Sequence, residues 1–223
     1  MHMHAHSQTA PQPGASATPG ASLRIVRGAA LQATPWKNGG GVTREIAAGP
    51  AGAGLESFAW RVSVAEVERS GPFSRFPGVD RTLVLLAGAG MHLVEAHGAT
   101  HVLMQPLAVA RFDGAVALDA QLVDGATRDF NLMVRRERVQ AALDIWMAGQ
   151  ARTRVLDADT ALIFCARGSL EVRIDGEGPR WGDVSQPRAA LAAMDTLVVD
   201  AARSRTCELT GDGAAIVVQL RYL

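Results

Sequence analysis

Three stretches of this 223-residue chain concentrate side chains that can do chemistry. The first is PWKNGGGVTRE, residues 35–45, where Trp36, Lys37, Asn38 and Arg44 surround three consecutive glycines. Glycines let backbone N–H groups come close to a ligand, and the amide, ammonium and guanidinium donors beside them suit a carboxylate. The same residues also suit a plain basic turn between two strands. Neither a GxxxxGK[ST] loop nor a GxGxxG fingerprint is present, which argues against a nucleotide phosphate site. The second stretch, GPFSRFPGVDR at 71–81, carries Phe73, Phe76, Arg75 and Arg81 in a loop. Two aromatics there either wall a planar or apolar ligand whose acid group an arginine pairs, or plug the end of a barrel. The third feature is a pair of alternating segments. FAWRVSV (58–64) puts Phe58, Trp60, Val62 and Val64 on one face and Arg61 and Ser63 on the other, and DFNLMVR (129–135) sets Phe130, Leu132 and Val134 against Asn131, Met133 and Arg135. If both polar faces turn inward, they complete a lined cavity.

Other reactive residue types are sparse. His92, His97 and His101 lie within ten residues, but His92 and His97 are five apart and face opposite sides of an uninterrupted strand. None of these three is two residues from another, as an HxH pair would need, and Glu95 is the only adjacent carboxylate, so they read as surface or turn histidines and no metal is expected. No GxSxG elbow occurs, and Cys165 and Cys207 sit in or beside apolar strands as buried packing residues. Asp113 and Asp129 are candidates for a carboxylate pair, although Phe112-Asp-Gly114 also reads as an ordinary turn.

The elements that must position these residues are mostly strands. Arg81 to Ala87 and Met91 to Val94 read as strand, glycine turn, strand. Helical periodicity is scarce, its best candidate being Arg136 to Leu143, which also reads as a strand. The glycine turn recurs 78 positions later (Gly90 and Gly168), and Gln121 to Gly125 has a partner 87 positions on, at Glu208 to Gly213. A weak internal duplication follows, with a mainly β class and two packed β-sandwich barrels. Residues 1–22 hold no charge and read as a disordered tail. Residues 23–136 would form the first barrel, carrying the pocket, and 137–223 a second, structural or dimerising one.

Composition bounds the function. With 22 basic and 22 acidic side chains, a pI near 7.0 and 48% apolar residues, the chain is globular and has no broad positive face for nucleic acid. No apolar run nears the roughly 18–20 residues of a membrane span and residues 1–22 lack a leader pattern, so the expected compartment is the cytoplasm.

At PWKNGGGVTREI (35–46), FAWRVSVAEVERSGPFSRFPGVDR (58–81) with the following LVLLAG, FDG (112–114) and DFNLMVRR (129–136), the sequence resembles the HutD/Ves family of bacterial proteins in the cupin superfamily. The resemblance covers Leu23 to the C-terminus, densely in the first half. It implies a bicupin fold, two cupin-like barrels in one chain, and a link to histidine catabolism through binding of a small pathway metabolite. The implied pocket is Trp36, Lys37, Asn38, Arg44, Arg61, Ser63, Phe73, Phe76, Arg81, Asn131 and Arg135, with no cofactor. The function expected is binding of, or regulation by, a small carboxylate such as urocanate or a glutamate derivative. The alternatives are a cupin isomerase or hydrolase, with or without a metal, and an interaction module whose second half makes a homodimer face.

Overall fold

The computed structural model describes residues 22–147, 149, 152–175 and 188–223. The expected disordered tail, apart from Ser22, lies outside them. Alternating β-branched and apolar residues produce nineteen strands among the described residues, joined by glycine-rich turns. In chain order the first eleven are β1 (Leu23–Val26), β2 (Ala33–Pro35), β3 (Gly41–Gly49), β4 (Trp60–Val67), β5 (Gly71–Pro72), β6 (Val79–Ala87), β7 (Met91–Glu95), β8 (Thr100–Leu103), β9 (Val109–Asp113), β10 (Leu118–Leu122) and β11 (Thr127–Arg135). The remainder are β12 (Val139–Met147), β13 (Arg152–Leu156), β14 (Thr160–Arg167), β15 (Ser169–Asp175), β16 (Arg188–Ala192), β17 (Thr196–Asp200), β18 (Arg205–Gly211) and β19 (Ala214–Tyr222). Of the segment from Arg136 to Leu143, residues 136–138 form a turn and Val139 onward is strand, and no helix among the described residues is long and apolar enough to cross a membrane.

The strands form four antiparallel sheets stacked in layers. A six-stranded sheet, ordered β2-β3-β4-β11-β6-β9, faces a four-stranded sheet, β5-β10-β7-β8, while a five-stranded sheet, β1-β17-β14-β19-β12, faces β13-β18-β15-β16. The order β4-β11-β6-β9 is repeated by β12-β19-β14-β17, and β5-β10-β7-β8 by β13-β18-β15-β16. The weak sequence similarity between the halves therefore has a topological counterpart.

Period-two side-chain alternation gives each large sheet two buried faces. Val62, Val64, Val84, Phe130 and Leu132 of the six-stranded sheet meet Leu162, Phe164, Val198, Ile216 and Val218 of the five-stranded one, with the Phe130 and Phe164 ring centroids 5.0 Å apart. On its other face the five-stranded sheet packs an apolar core that includes Ile163, Cys165, Val172, Leu191, Cys207 and Val217. Both cysteines are buried there, and burial pushes their thiols up to about 11 and about 12. The opposite face of the six-stranded sheet packs Leu83, Leu85 and Ala110 against Met91, Leu93, Leu103 and Leu118.

Two elements differ from the sequence reading. Leu23–Val26 pairs antiparallel with β17, so this strand adds to the five-stranded sheet of the second half rather than to the first. The Asp195 carboxylate fastens the chain as it leaves β1, accepting from Gly28 N–H (2.9 Å), Ala192 N–H (3.1 Å) and the Arg27 guanidinium (2.6 Å). Phe58 does not share the face of Trp60. It precedes β4 and packs with Val79 and Met133 instead, because the alternation begins only where ladder pairing fixes the backbone.

Candidate functional site

The inner face of the six-stranded sheet carries polar residues where an apolar core would be expected. Strand register aligns Arg61 with Met133, Met133 with Arg81 and Arg81 with Phe112 in one row, and Ser63 with Asn131 and Leu83 in the next. Asp129 lies one further row along, between Ala65 and Leu85. Adjacent strands are about 4.8 Å apart, so neighbours within a row touch. Ser63, Arg81, Asp129 and Asn131 are all buried. Ser63 Oγ, Arg81 Nε, Asp129 Oδ2 and Asn131 Oδ1 find no hydrogen-bond partner among the described residues. Buried polar atoms are normally paired, since leaving one unmet costs about 1–3 kcal/mol. These four fall on adjacent rows of one sheet face, whereas Trp146, Arg173 and Thr196 of the second half also each leave a buried polar atom unmet.

Arg81 is the centre of this group. Its guanidinium carbon lies 5.3, 5.7 and 5.1 Å from the ring centroids of Phe73, Phe76 and Phe112, and its one described hydrogen bond is a long 3.4 Å contact from Nη1 to Ser74 O. Burial drives the guanidinium down to about 10, with Asp129 opposing and Arg61 reinforcing the change, so it stays charged at neutral pH. Burial likewise pushes the Asp129 carboxyl up to about 7, against the pull of Arg81. The aromatic rings hold the cation out of water.

Outside this interior lies a cleft of about 250 Å³ lined by Trp36, Asn38, Gly40, Arg69, Ser70, Gly71, Pro72 and Phe73. Trp36 stands edge-on to Phe73 with centroids 6.1 Å apart, and its indole N–H donates to Thr43 Oγ1 at 2.7 Å. Phe73 therefore borders both the cleft and the Arg81 interior.

The sequence-derived residues divide into two groups. Arg61, Ser63, Arg81 and Asn131 share the inner face, with Phe73 and Phe76 around Arg81. Trp36 and Asn38 line the cleft. Lys37, Arg44 and Arg135 stand apart. Lys37 is exposed in the turn. Arg44 faces the same side as Val64, away from Ser63, and pairs with Glu66 (3.1 Å), which also holds Arg128. Arg135 is occupied by the carbonyls of Phe58 and Glu56, both at 2.9 Å, and stacks on Phe58.

The glycine triplet resolves as a closed turn. Gly39 N–H donates to Trp36 O and Gly40 N–H to Asn38 Oδ1, both at 3.0 Å, so these donors are spent within the loop. Gly41 is required because a Cβ there would lie 2.2 Å from the Glu66 carbonyl oxygen. Close approach is indeed the reason for glycine, but the approaching group is strand β4.

Several site residues escaped sequence reasoning. Asp129 and Asp113 do not form a pair: Asp113 accepts from Ala115 N–H (2.8 Å) and pairs with Arg136 (2.9 Å), whereas Asp129 is interior. Extending the DFNLMVR alternation back by one step would have put Asp129 on the face of Asn131. Phe112, which the sequence marks only as part of a turn, lies on β9 opposite Arg81. His101 is half-buried rather than fully exposed: opposite Leu93, it reaches Glu95 Oε1 at 3.0 Å and lies 5.8 Å from the Phe112 ring. Among the described residues no three His, Cys, Asp or Glu side chains cluster closely enough to hold a metal ion.

Four stacked antiparallel sheets with a polar interior in one sandwich define a cupin-like class of β protein. An oxalate decarboxylase from Lactobacillus farciminis shares that fold at a TM-score of 0.57 and 9% identity, over 94% of this chain and 87% of its own. Residues 28–217 match the HutD family, and the chain belongs to it. It is 38% identical over 154 residues to an uncharacterised 21.2 kDa protein from the hutC 3′ region of Pseudomonas putida, covering 69% of this chain and 79% of that one. It is 39% identical over 144 residues to the protein Ves of Escherichia fergusonii, covering 63% and 67%. The solved structure of HutD from Pseudomonas fluorescens, in a formate condition, superposes with a TM-score of 0.74 at 32% identity, over 91% of this chain and all of that one.

Proposed function

We propose that this protein binds a small carboxylate metabolite between the six-stranded sheet and its four-stranded partner, in a regulatory role tied to histidine utilisation. In this reading the two sheet pairs are two cupin-like barrels, the first carrying the site and the second supporting it. The observation that carries the reading is the buried Arg81, charged at neutral pH, ringed by three aromatics and flanked by the unmet polar atoms of Ser63 and Asn131. A carboxylate supplies two acceptor oxygens to such a guanidinium, and charge-assisted bonds of this kind offset its burial. Two relatives support the biological setting: one is encoded in the hutC 3′ region, and the solved HutD structure is described for a formate condition. The second sandwich packs an extensive apolar core, which suits a supporting role.

Isothermal titration of the full chain with urocanate and N-formylglutamate, together with melting scans, tests this. Binding heat and an upward melting shift at millimolar ligand are expected, because a ligand that binds only the folded state stabilises it by mass action. Silence in both measurements for both compounds overturns the reading.

A further inference from the structure

We propose that Glu95 and His101 form a second recognition pole in the same interior, so that the molecule bound there is bifunctional, with a carboxylate at Arg81 and a hydrogen-bond donor such as a primary amide at His101. The inference rests on the carboxylate reading above. His101, on β8, stands opposite Leu93 of β7 and so shares the face that Leu93 and Leu103 bury; Glu95, two residues beyond Leu93, shares it too. Their side chains are 23% and 21% exposed and bonded at 3.0 Å. His92 and His97 make the contrast: His92 lies one residue out of phase, beside the exposed Val102, and His97 is in an exposed turn.

Phe112 connects the two poles. The Arg81 guanidinium carbon lies 5.1 Å from its ring centroid and the His101 ring 5.8 Å, so both polar groups contact one aromatic side chain. The chemistry at the His101 end follows from its partner. A carboxylate only accepts, so the bond to Glu95 places the imidazole proton on Nε2, and a neutral ring then presents the Nδ1 lone pair as an acceptor. No described hydrogen bond uses Nδ1. An N–H or O–H donor on the bound molecule satisfies it, an alkyl end leaves it unmet, and a second carboxylate is repelled by Glu95.

Three five-carbon acids separate these cases: pentanoate with an alkyl end, glutarate with a second carboxylate, and glutaramate with a primary amide. Titrated into the full chain at neutral pH, glutaramate is expected to bind about tenfold more tightly than either of the others, one lost hydrogen bond being worth roughly that factor. In His101→Leu the ratio of glutaramate to pentanoate affinity should fall to about two or less. Glu95→Gln, which no longer fixes the tautomer, should reduce the same ratio and carries the test alone if His101→Leu melts early. Equal binding of pentanoate and glutaramate, or a preference that survives in the variants, overturns the second pole while leaving the carboxylate reading intact. If none of the three acids gives heat, the second pole falls; the carboxylate reading falls with it only when urocanate and N-formylglutamate are silent as well.

Discussion

The guanidinium carbon of Arg81 lies 5.3 Å from the centre of the Phe73 ring, and that ring also meets the indole of Trp36 at 6.1 Å. One side chain thus borders both the outer cleft and the buried cation. The loop carrying Phe73 is held by its N–H donating to Leu118 O at 2.8 Å, which ties it to the four-stranded sheet. Loop and interior therefore share the Phe73 side chain, beside the charge that the rings enclose.

Arg81→Met keeps most of the side-chain volume and removes the charge. Carboxylate affinity measured by calorimetry should fall at least about tenfold, the scale of a lost charge-assisted hydrogen bond. Retained affinity would place carboxylate recognition elsewhere.

Asp129 makes stability depend on pH in an uncommon direction. Its folded-state pKa of about 7 lies above the ordinary 3.8, so the folded protein binds more protons than the unfolded chain between these values. Its contribution is present below the lower value and is lost as pH rises through the upper one. Asp129→Asn removes that loss. Relative to wild type, the variant should gain stability from pH 5 to pH 8, by on the order of a few kcal/mol. Urea melts at both pH values read it, and parallel behaviour of the two proteins would refute it.

Arg61 sits in the same row as Arg81, its Nε bonded to Glu45 at 2.7 Å. Arg61→Ala should lower carboxylate affinity by more than about 1 kcal/mol and leave the fold intact, as judged by circular dichroism. An unchanged dissociation constant would remove Arg61 from the site.

Asp195 joins the segment after β1 to the second half through two backbone N–H groups and Arg27. Burial works to raise its carboxyl, but the Gly28 N–H, Arg27 and the Ala192 N–H outweigh this and hold it below the usual range. Its stabilising effect is therefore present above the ordinary carboxylate pKa and lost as pH falls. Asp195→Ala should cost about 2–3 kcal/mol at neutral pH, seen as a lower urea midpoint, and the deficit should shrink in acid.

Much of this was legible residue by residue. The alternation of Arg61 with Val62 and Ser63, and of Asn131 with Leu132 and Met133, announced two strands with polar faces, and both faces do turn inward. Arg44 misled because its chemistry matches a carboxylate site while its position in β3 aligns it with Val64. A register shift between Glu45 and Ala47 then alters the phase of that strand. Arg135 has the right residue type, but the nearby carbonyls of Phe58 and Glu56 take its donors. Neither competing partner is adjacent in sequence, so spacing alone carried no trace of it.

Alone, the sequence determined the mainly β class, the alternating faces of β4 and β11 and a weak likeness between the halves, because period-two alternation and glycine turns are local properties. Tertiary structure decided which polar face was covered. Pairing β11 between β4 and β6 brought Asp129, Arg81 and Ser63 together from residues far apart in the chain. Packing the four-stranded sheet over them excluded water, and that exclusion displaces the Asp129 carboxyl, while His101 on the facing sheet ends half-buried. Desolvation depends on everything that surrounds a group, so no pattern along a single strand encodes it.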